Sequence, residues 1–305
     1  MGEIKSQQIG LFNGAVTDKK RGRAAFEAGD FEAARYYFNK AQALDPCLSD
    51  LSLLQNVANL LSELIQKNGR SKTGLIRSWK TLVATRCRGE ISAREFALAE
   101  RPLCQLLLQK ISEKDVGYLD GREQSLHIGY CYLVLNDFRQ AHHLILDYLT
   151  TYQLFDARLW GYLGDCAWQL EWYDEARLDY LRALFIDPMR LDYEKLAYPD
   201  LKNLYRELKM TYPDEAVAES LIPIFGWLNG LFTIPQQDGV MRQYVARKHW
   251  QQRGTLPLTN LERYRRFAQC LFLDQSRLQP SIDFELRIEM QQLAPKLFQQ
   301  YLNKL

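Results

Sequence analysis

The chain has 305 residues, 47% of them hydrophobic and 25% charged, with a net charge of +2, which excludes wholesale disorder and allows a large buried core. Its first stretch, MGEIKSQQIGLFNGAV, lacks the basic lead and unbroken apolar run of a secretory signal. Leu221–Ile234, the nearest approach to an apolar span, is broken by Pro223 and Asn229 and falls short of the roughly 18 residues a membrane helix needs, so a cytoplasmic protein with no membrane span is expected.

Charge is unevenly spread. Residues 1–110 carry +6, 111–238 carry −10 and 239–305 carry +6. The six cysteines form no close C-x-x-C pair, which argues against a zinc ribbon and against a secreted disulfide framework.

Residues 1–17 read as an irregular lead or cap. A helix–turn–helix pattern follows from Asp18 to Pro46, with Gly22, Phe31, Ala34, Phe38 and Ala41 as its small and aromatic positions. Asp18 and Arg21 stand where large apolar residues would let another helix pack, which fits a terminal unit with a polar outer face. Next, Leu51, Leu54, Val57, Ala58, Leu61, Leu64 and Ile65 recur at three and four, the stripe of an amphipathic helix. Asn68–Gly74, NGRSKTG, is a polar turn, followed by a helix from Leu75 to about Cys87. Ser92 and Glu95 are spaced as a capping box for the next helix, which Pro102 is expected to kink or restart.

From Gln124 to Gln153 a further unit is marked by Gly129, Tyr132, Phe138 and Ala141. The strongest unit spans Trp160–Pro188 and carries Trp160, Leu163, Gly164, Tyr173, Ala176, Tyr180, Ala183 and Pro188. Gly164 lies 35 positions after Gly129; Phe38 and Tyr180, like Pro46 and Pro188, lie 142 apart. Small residues at Gly164 and Ala176 let two antiparallel helices approach, and Asp187-Pro188 ends the second helix because proline lacks the next amide donor.

After Pro188 two short helical pieces are expected between Leu191 and Tyr212, broken at Pro199 and Pro213. Asp214 then caps an apolar helix from Glu215 to about Phe232. Three more helices are read at 240–253, 258–275 and 282–303. No strand pattern occurs, so the fold class is all-α.

The eight positions of the Trp160–Pro188 unit resemble the tetratricopeptide-repeat signature. The resemblance implies an α-solenoid of stacked helix–turn–helix hairpins with degenerate repeats and a C-terminal helical region. The expected plan is a lead at 1–17, repeats at 18–213 (best units 18–46, 122–155 and 157–188) and a helical region at 214–305. It also implies a groove lined by first helices: Glu123, Leu126, Tyr130, Leu133 and Val134 from one unit, and Arg158, Gly161, Asp165, Trp168 and Gln169 from the next. The Lys and Asn with which related chaperone-binding proteins grip a terminal carboxylate are missing from these positions. A protein or peptide segment with apolar or aromatic anchors and a basic flank suits such a groove within an acidic middle region.

Catalytic chemistry finds little support. Gly69 and Gly74 have P-loop spacing, but Leu75 and Ile76 follow where the loop needs Lys and Ser or Thr. His127 and Cys131 are four apart, with His142 and His143 further on. Consecutive histidines cannot both face one ligand point, so no metal, no cofactor and no enzyme activity are expected. Two alternatives remain open. Nucleic acid could meet the basic residues Arg242, Arg247, Lys248, Arg253, Arg263, Arg265 and Arg266, which are interleaved with Tyr244, Trp250 and Tyr264. Self-association could use the apolar stretch 221–234.

Overall fold

The computed structural model describes residues 2–112, 115–121, 124–152, 155–236, 238–251, 258–277 and 283–305, with side chains from residue 14 onward. Among them are fifteen α-helices, one 3-10 turn at Pro188–Arg190, and a single isolated antiparallel bridge between Tyr118 and His127. The expected all-α class holds, with successive helices packed in pairs as in a tetratricopeptide-like α-solenoid. The chain divides into two compact units, 1–137 and 138–305. The division falls within the stretch 18–213 that the sequence reads as one series of repeats.

The first unit holds α1 (Gly2–Glu27), α2 (Phe31–Leu44), α3 (Leu51–Asn68), α4 (Lys72–Cys87), α5 (Ala93–Leu108) and α6 (Ile128–Val134). From α1 to α5, each packs on its successor. The stripe Leu51, Leu54, Val57, Ala58, Leu61, Leu64 and Ile65 is buried throughout, as its helical period requires. Both halves of the Ser92–Glu95 capping box are made. In Asn68–Gly74, Ser71 caps α4 by accepting from Gly74 N at 3.1 Å, and Lys72 pairs with Asp115.

One expectation fails here. Residues 2–17 are helical, because Gly10 and Gly14 each cost only about 1 kcal/mol in a helix and no proline interrupts α1. Of the two outcomes expected at Pro102, a restart does not occur: α5 runs through the proline, which is buried in its interior.

The second unit holds α7 (Phe138–Thr151), α8 (Ala157–Gln169), α9 (Tyr173–Ile186), α10 (Pro199–Thr211), α11 (Glu215–Leu228), α12 (Gly239–Gln251), α13 (Asn260–Gln275), α14 (Phe284–Leu293) and α15 (Pro295–Lys304). Its core includes Leu159, Leu163, Tyr180, Leu221, Ile222, Phe267, Leu271, Phe272 and Tyr301, each fully buried. Asp214 caps α11 as expected, accepting from Ala216 N at 3.0 Å. That helix stops at Leu228, not Phe232, because the chain turns at Gly230 (φ +73°). Phe232 then folds back onto Gly226, where an added Cβ would stand 2.6 Å from its ring. Leu221, Ile222, Ile224, Trp227, Phe232 and Ile234 are thereby buried within the unit, so the apolar stretch offered for self-association is covered by its own chain. The helix expected over 282–303 is two helices, divided where Pro295 opens α15.

Five inter-helix turns among the described residues are built alike, at Gly29, Gly89, Asn136, Glu171 and Gly230, and three of them fall on the repeat pattern. Gly29, Asn136 and Glu171 each take positive φ, at +77°, +67° and +64°. In each, the next amide reaches back over the helix end: Asp30 N to Ala25 O at 2.9 Å, Asp137 N to Tyr132 O at 3.0 Å and Trp172 N to Ala167 O at 2.9 Å. This is the Schellman closure, which satisfies carbonyls that a helix end leaves unpaired. The recurrence follows the same 142- and 35-residue offsets as the sequence pattern.

Candidate functional site

The first-helix residues proposed for a groove fall into two sets, one in each unit. On α6, His127 caps the helix, its Nδ1 accepting from Gly129 N at 3.0 Å. Burial lowers its pKa to about 4, which keeps the ring neutral. Leu126 is fully buried. Tyr130 is buried too, donating its hydroxyl to Glu100 Oε1 at 2.8 Å. The same oxygen accepts from Trp79 Nε1 at 3.0 Å, and the two rings meet edge to face at 6.2 Å. Tyr130 is therefore a bracket between helices, not a free anchor. Leu133 and Val134 are half-buried. Glu123 lies outside the described residues.

On α8, Asp156 caps the helix and accepts from Arg158 N at 3.0 Å. Much of the expected groove face is covered by the chain that follows α9. Leu191 lies over Gly161, where a Cβ would stand 2.9 Å from its methyl carbon. Tyr198 stacks on Trp168 at 4.3 Å and 22°, while Tyr173 meets the same indole edge-on at 4.9 Å. Asp165 is buried and accepts from Tyr180 Oη at 2.6 Å and Ala197 N at 2.7 Å. Burial raises the Asp165 carboxyl to about 7, against those two donors, which favour the charged form. Arg158 is half-exposed and Gln169 exposed. Thus Gly161, Asp165 and much of Trp168 hold the segment 191–198, while Arg158 and Gln169 remain accessible.

The basic residues are dispersed. Arg242 donates to Leu273 O and Ser276 Oγ at 2.7 Å each, Arg265 stands 3.6 Å from Asp187, and buried Arg266 pairs with Glu289. Arg247, Lys248 and Arg263 are exposed, and Arg253 lies outside the described residues. Tyr244 stacks on Phe155 at 4.1 Å, whereas Trp250 is exposed.

Among the described residues, two clusters bring metal-ligand side chains together, His249–Cys270–Glu289 and His142–Glu175–Asp179. In the first, Cys270 Sγ lies 3.9 Å from His249 Nδ1 while Glu289 Oε2 lies 3.3 Å from His249 Nε2. Burial works to raise Glu289, but His249 and Arg266 hold its carboxyl at about 2. The sequence reading found neither cluster; the second leaves one local trace, the four-residue spacing of Glu175 and Asp179, which places both on one helix face.

The tetratricopeptide repeat family matches residues 128–188, which hold α6 to α9. No curated protein and no solved structure matches the chain. No helix among the described residues is long and apolar enough to cross a membrane.

Proposed function

We propose that this protein is a non-catalytic scaffold that binds a protein segment through the accessible first-helix residues of its repeats. Arg158 and Gln169 serve on α8, within the second unit. The observation that carries this reading is the repeat segment 128–188, from a family whose repeats generally mediate protein–protein interaction. The ligand expected has apolar anchors and a basic flank, since residues 111–238 carry a net −10 and opposite potentials speed and orient encounter. A cytoplasmic location belongs to this reading; all six cysteines are free thiols, the state a reducing compartment maintains.

The test is affinity capture with the intact chain and one surface variant, Arg158→Glu with Gln169→Ala. Unchanged circular dichroism would show that the variant is folded. Loss of a captured partner with the variant supports the reading. Retention of every captured partner contradicts it.

A further inference from the structure

We propose that His142, Glu175 and Asp179 form a binding site for a divalent first-row transition-metal ion of the zinc kind. The three side chains come from α7 and α9 within the second unit. His142 belongs to the buried stripe of α7 with Ala141, Ile145 and Leu149, while its neighbour His143 is exposed. Glu175 and Asp179 are one turn apart on α9, the first exposed and the second 3% exposed. Their ligand atoms and that of His142 all lie within 4.8 Å of one another.

His142 Nε2 is 3.3 Å from Glu175 Oε1. Metal bonds of about 2.0–2.2 Å put neighbouring tetrahedral ligands roughly 3.3–3.6 Å apart, so this pair already has the required spacing. Rotation of the Asp179 carboxylate closes the remainder, about 1.5 Å at most on the same geometry.

A second observation points to a missing ligand. Asp179 Oδ2 is buried and has no hydrogen-bond partner among the described residues. Burying an unpaired polar atom is costly, and a cation held with His142 and Glu175 satisfies it. Arg182 does not fill that place. It stands 3.5 Å from the other oxygen, Asp179 Oδ1, and is also held by Asp238 at 3.1 Å and the Trp160 ring at 4.6 Å. Two carboxylates and one imidazole suit a borderline divalent ion, whereas a soft ion would call for thiolate. The exposed Glu175 leaves an entry path and an open coordination position on its side. Trp172 meets the His142 ring edge-on at 5.3 Å, which places a fluorescent reporter beside the site. This inference stands apart from the protein-binding reading, since its residues are none of those assigned to the partner.

The experiment uses the full chain, treated with chelator, with Cys47 and Cys87, the two exposed thiols, replaced by serine. Zinc chloride is titrated calorimetrically and cobalt(II) followed by tryptophan fluorescence. Saturation at one ion per chain is expected, with affinity lowered at least about tenfold by His142→Ala and by Glu175→Gln. Glu175 is exposed, so the second variant keeps its fold even where removal of buried His142 does not. His249→Ala leaves binding unchanged. No saturable zinc uptake, uptake that survives Glu175→Gln, or uptake lost with His249→Ala overturns the proposal.

Discussion

The Tyr180 ring lies across Gly164, where a Cβ would stand 2.8 Å from two ring carbons. In the first hairpin Phe38 lies across Gly22 in the same way, 2.5 Å from the equivalent added atom. A methyl group has no room beneath either ring, and both rings are fully buried, so the helix pair must part to admit one. Gly164→Ala is therefore expected to destabilise the chain by about 1–3 kcal/mol, the usual cost of overpacking. Gly14 is the control. Its added Cβ would meet only Leu44 at 3.4 Å, so Gly14→Ala should stabilise α1 by up to about 1 kcal/mol. Urea unfolding of the two variants checks both signs.

Glu171 occupies the turn position that Gly29 fills in the first hairpin, with φ at +64°. A side chain is strained in that conformation and glycine is not. Glu171→Gly should raise stability by about 0.5–1 kcal/mol, and Gly29→Ala should lower it by more, since its Cβ would also stand 2.7 Å from Leu106. Thermal melts in one buffer decide the order.

Glu100 joins Trp79 and Tyr130 through one carboxylate oxygen. Glu100→Ala leaves an indole N–H and a phenol O–H buried without their acceptor, at an expected cost of about 2–4 kcal/mol. Glu100→Gln keeps an oxygen in place and should cost less than half as much. Equilibrium denaturation with tryptophan fluorescence as the probe separates the two.

Asp165 supplies a pH dependence of known sign. Its folded pKa is raised to about 7 from an ordinary 3.8, so the folded chain holds a proton that the unfolded chain has lost. That proton favours folding fully below about pH 4, and its contribution disappears as pH rises through 7. Between those limits Asp165 lowers stability by up to about 4 kcal/mol as pH increases. The measurement is the difference in unfolding free energy between wild type and Asp165→Asn, followed from pH 4 to pH 8. Wild type should lose stability relative to the variant across that range, because the amide of the variant does not titrate. A difference that does not change with pH would contradict the assignment.

The sequence disclosed the hairpins because their signals are local. Gly164, Ala176 and Tyr180 sit at fixed spacings whose packing meaning does not depend on the rest of the chain, and Ser92–Glu95 is complete within four residues. The helical state of residues 2–17 was less legible, since Gly10 and Gly14 weaken a helix without ending it. The accessibility of the groove residues was illegible for another reason. Whether Trp168 faces solvent depends on Tyr198, and whether Gly161 is open depends on Leu191. Both belong to a segment with no regular period. The meeting of His142 with Asp179 likewise depends on side chains from two helices, which spacing within one helix does not record.

The most direct test of the protein-binding account is site-specific photo-crosslinking in cells. A benzoylphenylalanine replaces Gln169 on α8 in one strain and the exposed Asp147 on α7 in another. Crosslinking of a second polypeptide from position 169 and not from 147, abolished by Arg158→Glu, is the predicted result. Crosslinks of equal strength from both positions, or from 147 alone, would contradict it.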